Sequence, residues 1–265
     1  VPDSFLSGEN TYVVSGGAGA LGLHFAHWMV DNGALHVALL SRSGKPRPDV
    51  VPLFERLMSA TGVQAVVRPC DVQSEAIVGR CLQELRGSVP PFKGIIHAAG
   101  LQDDHMLASL KTHHIGPIVG PKIDGAINLH VASKQLDLDF FVMCSSVTAM
   151  LGSPGQATDS AGNAFMDSFA VHRRAQGLPA LSLQWGPWAE IGMAARADNP
   201  ENRYLRLDPT SCMEAFGAVL GAGGSLRSGV VGISSVNWSG LLARMPAVPP
   251  DLSRFGGSSK RAEEA

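Results

Sequence analysis

Thr11-Tyr-Val-Val-Ser-Gly-Gly-Ala-Gly-Ala-Leu-Gly22 decides how this chain is read. A short apolar strand runs into Gly17-x-Gly19-x-x-Gly22 and then into a helical pattern. Glycines at that spacing let the backbone pass close to a pyrophosphate, which sits on the unpaired N–H groups at the positive end of the next helix. The loop nominates Gly16, Gly17, Gly19, Ala20, Leu21 and Gly22 as dinucleotide contacts. In a chain with 30 glycines the motif alone is weak, and the strand before it and helix after it give it weight.

Outward from the loop, Leu21, Phe25, Trp28 and Met29 stand at helical spacing over 21–32, with Gly33 as a stop. Apolar runs at 36–40, 64–68, 94–97, 138–144, 180–184 and 230–233 read as further strands. Helices are expected at 53–60 and 74–86, the latter with Ser74 as N-cap. This alternation predicts an α/β fold, a Rossmann-type doubly wound parallel sheet of about seven strands covered on both faces. One domain is expected over 1–250, with 1–10 as a lead-in and 251–265 as a tail or linker.

Bulk properties narrow the function classes. With 265 residues, 45% hydrophobic and 17% charged, the chain can bury one sizeable core. A net charge of −2 provides no basic field, so neither nucleic acid nor an anionic membrane is an expected partner. No apolar run is long enough to span a bilayer, and the N-terminus lacks the basic-then-apolar pattern of a signal peptide. Cys70, Cys81, Cys144 and Cys212 are widely spaced without a CxxC, which argues against a zinc site or disulfide framework and for a reducing cytoplasm. His24-x-x-His27 has a chelating spacing but no third ligand, so no metal is expected. Met29, Met143, Met150 and Met166 read as core filler.

The second strand selects the dinucleotide. An NAD site usually places an acidic residue about 20 positions past the loop. Arg42 stands there instead, between Ser41 and Ser43. A guanidinium can fork onto a 2′-phosphate and stack on adenine, so the expected cofactor is NADP(H).

Further landmarks follow in order: Leu40-Ser-Arg-Ser-Gly44, Cys70-Asp-Val72, His97-Ala-Ala-Gly100, Pro121-Lys-Ile-Asp-Gly125, Ser145-Ser146, Gly152-Ser-Pro-Gly-Gln156, Asn163-Ala-Phe165 and Trp185-Gly-Pro-Trp188. Together with the glycine loop they resemble the ketoreductase domains of polyketide synthases, within the short-chain dehydrogenase/reductase superfamily. The resemblance covers about residues 11–240. It implies Asp71 and Val72 beside the adenine, His97, Ala98, Ala99 and Gly100 at the end of the fourth strand beside the cofactor ribose, and Pro187 near the nicotinamide. It also implies hydride delivery from NADPH to a 3-ketoacyl chain held as a phosphopantetheine thioester on an acyl carrier protein. By the same resemblance Ser146 holds the ketone oxygen, Lys122 lies beside the ribose and Asn163 positions the lysine and a water relay. Drawing the lysine from an upstream helix, with asparagine in its usual place, is the polyketide-synthase arrangement.

One landmark departs from the pattern. The resemblance puts the proton-donating tyrosine thirteen residues after Ser146 and four before Asn163, where this chain has Asp159. Tyr12 and Tyr204 are the chain's two tyrosines, and neither stands at that position. Free aspartate has a pKa of about 3.9 against about 10 for tyrosine, so near neutrality it has no proton to give. A nearby Lys122 would hold it charged, and its side chain is shorter by most of an aromatic ring. Three readings stay open: a natural non-reducing domain, a tyrosine-to-aspartate knockout, or an enzyme using water as the acid. A free-standing reductase of small ketones is a fourth, disfavoured by the lysine placement.

Substrate contacts are also implied by the resemblance. Leu101-Gln-Asp-Asp-His105 is similar to a Leu-Asp-Asp signature of ketoreductases giving the D-hydroxy product, with Asp103 and Asp104 matching and Gln102 replacing leucine. Leu151 stands where the opposite stereochemical class carries tryptophan. Trp188 and Met193 follow, with core packing an equal reading for the tryptophan, and about 193–208 is expected to form a lid. The family pairs a truncated structural half with a catalytic half, and only the catalytic half is legible here. That structural half and neighbouring synthase domains are therefore expected partners.

Overall fold

The computed structural model describes residues 6–189, 204–222, 228–243, 245 and 247–255. Strand β1 (Thr11–Ser15) is buried at every position, as befits a central strand covered on both faces. Helix α1 (Ala20–Asp31) follows the glycine loop and returns the chain to β2 (His36–Ser41), parallel to β1. Helix α2 (Val51–Met58) leads to β3 (Gln64–Pro69), and α3 (Glu75–Arg86) to β4 (Phe92–His97), which pairs with the other side of β1. Ser74 caps α3 by accepting from the Ile77 N–H at 3.4 Å, as its position in the sequence predicts.

A long helix α4 (Thr112–Ser133) precedes β5 (Phe140–Ser146). The short α5 (Thr148–Leu151) and the longer α6 (Ala157–Ala175) precede β6 (Leu181–Trp185). Beyond them lie β7 (Tyr204–Leu205), α7 (Pro209–Ala222), β8 (Val230–Ile233), β9 (Ser235–Val236) and α8 (Trp238–Leu242). The main sheet runs β3-β2-β1-β4-β5-β6-β8, seven strands, all neighbours parallel. β7 and β9 form a separate antiparallel pair.

Strand alternation divides the interior into two cores. Tyr12, Val14, Val37, Leu39 and Leu183 face Leu23, Phe25 and Met29 of α1 and Phe216 of α7. Val13, Ala38, Leu40, Phe141 and Met143 face Val78 and Leu82 of α3, Leu129 of α4 and Met166 of α6. Each such fully buried large side chain contributes about 1.5–3 kcal/mol relative to exposure.

The structure corrects some expectations. The fifth strand runs two residues later than 138–144, so Ser146 is its last residue. Met150 is 56% exposed rather than core filler, because the single turn of α5 projects it outward. Helix α4, for which no expectation was set, runs through Pro117 and Pro121. The expected lid falls mostly on 190–203, outside the described residues, as does Met193. Leu207, beyond it, is tied back to the sheet end: its N–H donates to the Pro187 carbonyl and its carbonyl accepts from Ala189, both at 2.8 Å. Residues 256–265 of the expected tail also lie outside the described residues.

Candidate active site

Strand order reverses about β1, so the connections leaving β1 and β4 diverge and open a crevice at the carboxyl end of the sheet. The glycine loop lies on one side of it. Gly16 has φ of +70°, and a Cβ there would come within 2.6 Å of the Ala98 carbonyl oxygen. A Cβ on Gly22 would meet the Gly16 oxygen at 2.4 Å, so α1 packs against the loop only because glycine stands at 22.

Gly19 is the N-cap of α1, offers no side-chain acceptor, and the first turn carries no acid. The first-turn donors, including those of Ala20 and Leu21, are left for an outside acceptor. Such a cradle fits the pyrophosphate of a dinucleotide.

Next to the loop, the Gly17 N–H donates to the Leu40 carbonyl at 3.1 Å, which sets the end of β2 against it. Ser41 there accepts from the Gly44 N–H at 3.1 Å, and Ser43 from that of Lys45 at 3.2 Å, making a tight turn. Arg42 on this turn is exposed, with no ion-pair partner among the described residues. Asp71 accepts from the Gln73 N–H at 3.1 Å, and the Val72 carbonyl accepts from Asn128 of α4 at 2.8 Å. Ala98 donates its N–H to the Ser15 carbonyl at 3.0 Å, and Ala99 and Gly100 continue from it along the crevice.

The other side of the crevice is closed upon itself. Asp159 and Asn163 stand one turn apart on α6 and share a face. Lys122 reaches them from α4; its stem passes Gly162, where a Cβ would approach Lys122 Cδ to 3.0 Å. The Lys122 ammonium donates to Asp159 Oδ1 and, at 2.8 Å, to Asn163 Oδ1. Asn163 Nδ2 donates to Asp159 Oδ2 at 2.7 Å and faces Thr148 Oγ1 at 3.5 Å. The opposite amide orientation would set NH2 against the ammonium and oxygen against the carboxylate, so the network fixes it.

Lys122, Asp159 and Asn163 are 5%, 8% and 1% exposed. Both Asp159 oxygens accept hydrogen bonds, from Lys122 and from Asn163. Lys122 has three N–H donors, two of them used in this network.

Ser146 ends β5 nearby, and its Oγ accepts from the Thr148 N–H at 3.2 Å, which leaves the hydroxyl hydrogen free to donate elsewhere. Gln102, Asp103 and Asp104 lie on the loop after β4. Asp104 accepts from Gln102 at 3.0 Å and from Gln156 at 3.1 Å, tying this loop to the start of α6. Asp103 pairs with His105 at 2.9 Å. Leu151 is half-buried at the end of α5, and Pro187 lies just past β6. Trp188 packs into the core against Phe25 and Trp185.

His24 and His27 each engage a backbone carbonyl, of Ala20 at 2.8 Å and of Leu53 at 2.9 Å. Thr148 and Ser15 adjoin the site without having been singled out as site residues, and His97 was expected only as the end of the fourth strand beside the ribose. For Ser15 and His97 the available signal was a polar residue ending each of two adjacent buried strands.

A doubly wound sheet, a dinucleotide cradle at its switch point and a lysine on α4 facing α6 define a short-chain dehydrogenase/reductase-type protein. The family comparison is narrower: the KR domain matches residues 10–190, and the chain belongs to that family, the ketoreductase domains of polyketide synthases. A phenolphthiocerol synthesis polyketide synthase type I, Pks15/1, of Mycobacterium marinum is 42% identical over 189 residues, covering 71% of this chain and 9% of that protein. Solved A-type ketoreductases from a modular polyketide synthase superpose with a TM-score of 0.82 at 29% identity, covering 98% of this chain and 56% of theirs. The first ketoreductase of the tylosin polyketide synthase gives 0.81 at 30% identity, covering 97% and 56%. This chain thus spans about a tenth of the length of the first curated relatives and just over half of these solved ketoreductases.

Proposed function

We propose that this chain is the NADP(H)-binding catalytic half of a polyketide-synthase ketoreductase in which the proton-donating step is lost. The family reaction is NADPH-dependent reduction of a 3-ketoacyl thioester, carried by an acyl carrier protein, to the 3-hydroxyacyl form. The observation that carries the reading is the buried ion pair: Asp159 stands at the tyrosine position with both oxygens accepting.

The chain's own residues divide into those that bind and those that would react. The glycine loop and the α1 N-terminus would receive the pyrophosphate, while Arg42 would meet the 2′-phosphate with Ser41 and Ser43 beside it. Asp71 and Val72 flank the adenine, and Ala98, Ala99, Gly100 and Pro187 line the remaining length. When bound, NADPH supplies hydride. The third N–H of Lys122 would be left for the nicotinamide ribose, and Ser146 would donate its hydroxyl hydrogen to the ketone oxygen. Gln102, Asp103, Asp104 and Leu151 border the acyl chain.

A developing alkoxide at Ser146 needs a proton as well as a hydrogen bond. Asp159 cannot supply it, and its charge would oppose the alkoxide. The domain therefore holds cofactor and substrate within the synthase, alongside its structural half and neighbouring domains, without appreciable reduction.

A paired assay tests this reading: NADPH binding by fluorescence, and NADPH oxidation with an acetoacetyl thioester, for this chain and for Asp159→Tyr. Binding by both, with turnover in the tyrosine variant alone, is the expected result. Brisk turnover by the Asp159 protein would sink the non-reducing reading, and failure of both to bind NADPH would sink the cofactor assignment.

A further inference from the structure

Ser15 and His97 end the two strands that flank the switch point and pair with each other in register. Both are buried, at 0% and 1% exposure, and neither has a part in the chemistry described above. His97 Nδ1 lies 2.6 Å from Ser15 Oγ, and His97 Nε2 lies 3.3 Å from the Lys122 carbonyl oxygen. A carbonyl only accepts, so the ring hydrogen resides on Nε2. Nδ1 is then an acceptor, and the Ser15 hydroxyl donates to it. Ser15 thereby sets the tautomer that lets His97 donate to α4.

We infer that His97, oriented by Ser15, is the positioning residue that fixes the Lys122-bearing turn of α4 against the sheet. The inference rests on the reading of Lys122 as the lysine of the reductase site. Helix α4 is interrupted on the approach to this turn. Pro117 and Pro121 each lack an N–H, so two rungs of the helical ladder are missing just before Lys122. His97 Nε2–H donates to the Lys122 carbonyl, in the turn that follows these prolines.

The same edge of the ring also packs against α4 one turn on. Gly125, one turn on, lies so close that a Cβ there would meet His97 Cε1 at 2.8 Å. With the backbone of 121–125 held on a buried ring, the lysine stem has one path, past Gly162 to Asp159 and Asn163. Burial pushes the imidazole down to about 4, so it stays neutral and keeps one donor and one acceptor through the neutral range.

The test has two independent readouts. In the Asp159→Tyr background, kcat and KM for reduction of an acetoacetyl thioester are measured over roughly pH 6–10 with His97→Leu and His97→Gln. A displaced ammonium no longer lowers the tyrosine pKa, so the leucine variant should move the alkaline limb of the profile upward. It should also lose about tenfold in kcat with little change in KM. Glutamine, whose amide nitrogen reaches as far as Nε2, should keep both within about threefold.

The second readout uses the Asp159 chain itself and needs no turnover. Acetic anhydride labelling of Lys122 relative to exposed Lys134 is followed by mass spectrometry, with Ser15→Ala as a milder variant should His97→Leu fail to fold. Several-fold faster Lys122 labelling in His97→Leu and Ser15→Ala, but not in His97→Gln, is expected. Unchanged Lys122 labelling, or an unchanged pH profile with only a lower Tm, would overturn the inference. An inert Asp159→Tyr protein would count against the reductase reading alone, because the labelling still decides the positioning claim.

Discussion

The two walls of the crevice treat their polar groups in opposite ways. On the β1–β2 side the α1 N-terminus has no side-chain cap and no acid in its first turn, and Arg42 is exposed. On the α4–α6 side the lysine, carboxylate and amide bond one another and are buried. A wall with open donors awaits a ligand; a wall whose groups are paired internally has little left to give to a reacting atom. On the proposed reading, cofactor binding and hydride use are separable properties of one fold.

The largest effect should come from filling the open wall. Gly22→Val drives a side chain into the Gly16 oxygen, and NADPH affinity measured by fluorescence titration should fall at least ~100-fold. The closed wall is broken by Asp159→Ala, which leaves a buried ammonium without its carboxylate. Urea unfolding should report a loss of about 3–5 kcal/mol. A change near zero would mean that Lys122 finds water instead.

Acid should attack the closed wall's support. His97 is held at about 4 in the folded protein against 6.5 in the open chain, so between those values the unfolded state binds more protons. Its contribution is full above about pH 6.5 and is lost as pH falls toward 4, amounting to about 3 kcal/mol. Burial lowers His130 as well, in the same direction. Tm measured across this range should drop less steeply in His97→Gln. The smallest effect concerns cofactor choice: Arg42→Ala should cost NADPH about 1.5–3 kcal/mol, roughly 10- to 150-fold, and leave NADH unchanged.

The open wall was legible in the sequence because its signals are local. Gly17-x-Gly19-x-x-Gly22, the strand before it and Arg42 at the next strand end lie within one stretch of chain, and each carries its own steric or electrostatic meaning. Strand alternation likewise exposed the parallel sheet. The closed wall was legible only through the resemblance to ketoreductase domains. Helix α4 has prolines at 117 and 121 and glycines at 116, 120 and 125, which mask its periodicity; tertiary packing against α3 and α6 overrides them. Asp159 stood out by its distance from Ser146 and Asn163, but the saturation of both its oxygens depends on a helix far away in sequence. The Ser15 and His97 contacts lay deeper still, since they follow from strand register. Met150 misled because an apolar residue on a one-turn helix has no second turn to orient it.

The central claim is that this domain binds NADPH and does not spend its hydride. The most direct measurement incubates the protein with NADPH and an acetoacetyl thioester, quantifies bound cofactor, and follows NADPH absorbance in the same sample beside Asp159→Tyr. The account predicts comparable binding in both, with oxidation by the Asp159 chain at least ~100-fold slower. Oxidation by the Asp159 chain within about tenfold of the tyrosine variant would contradict it.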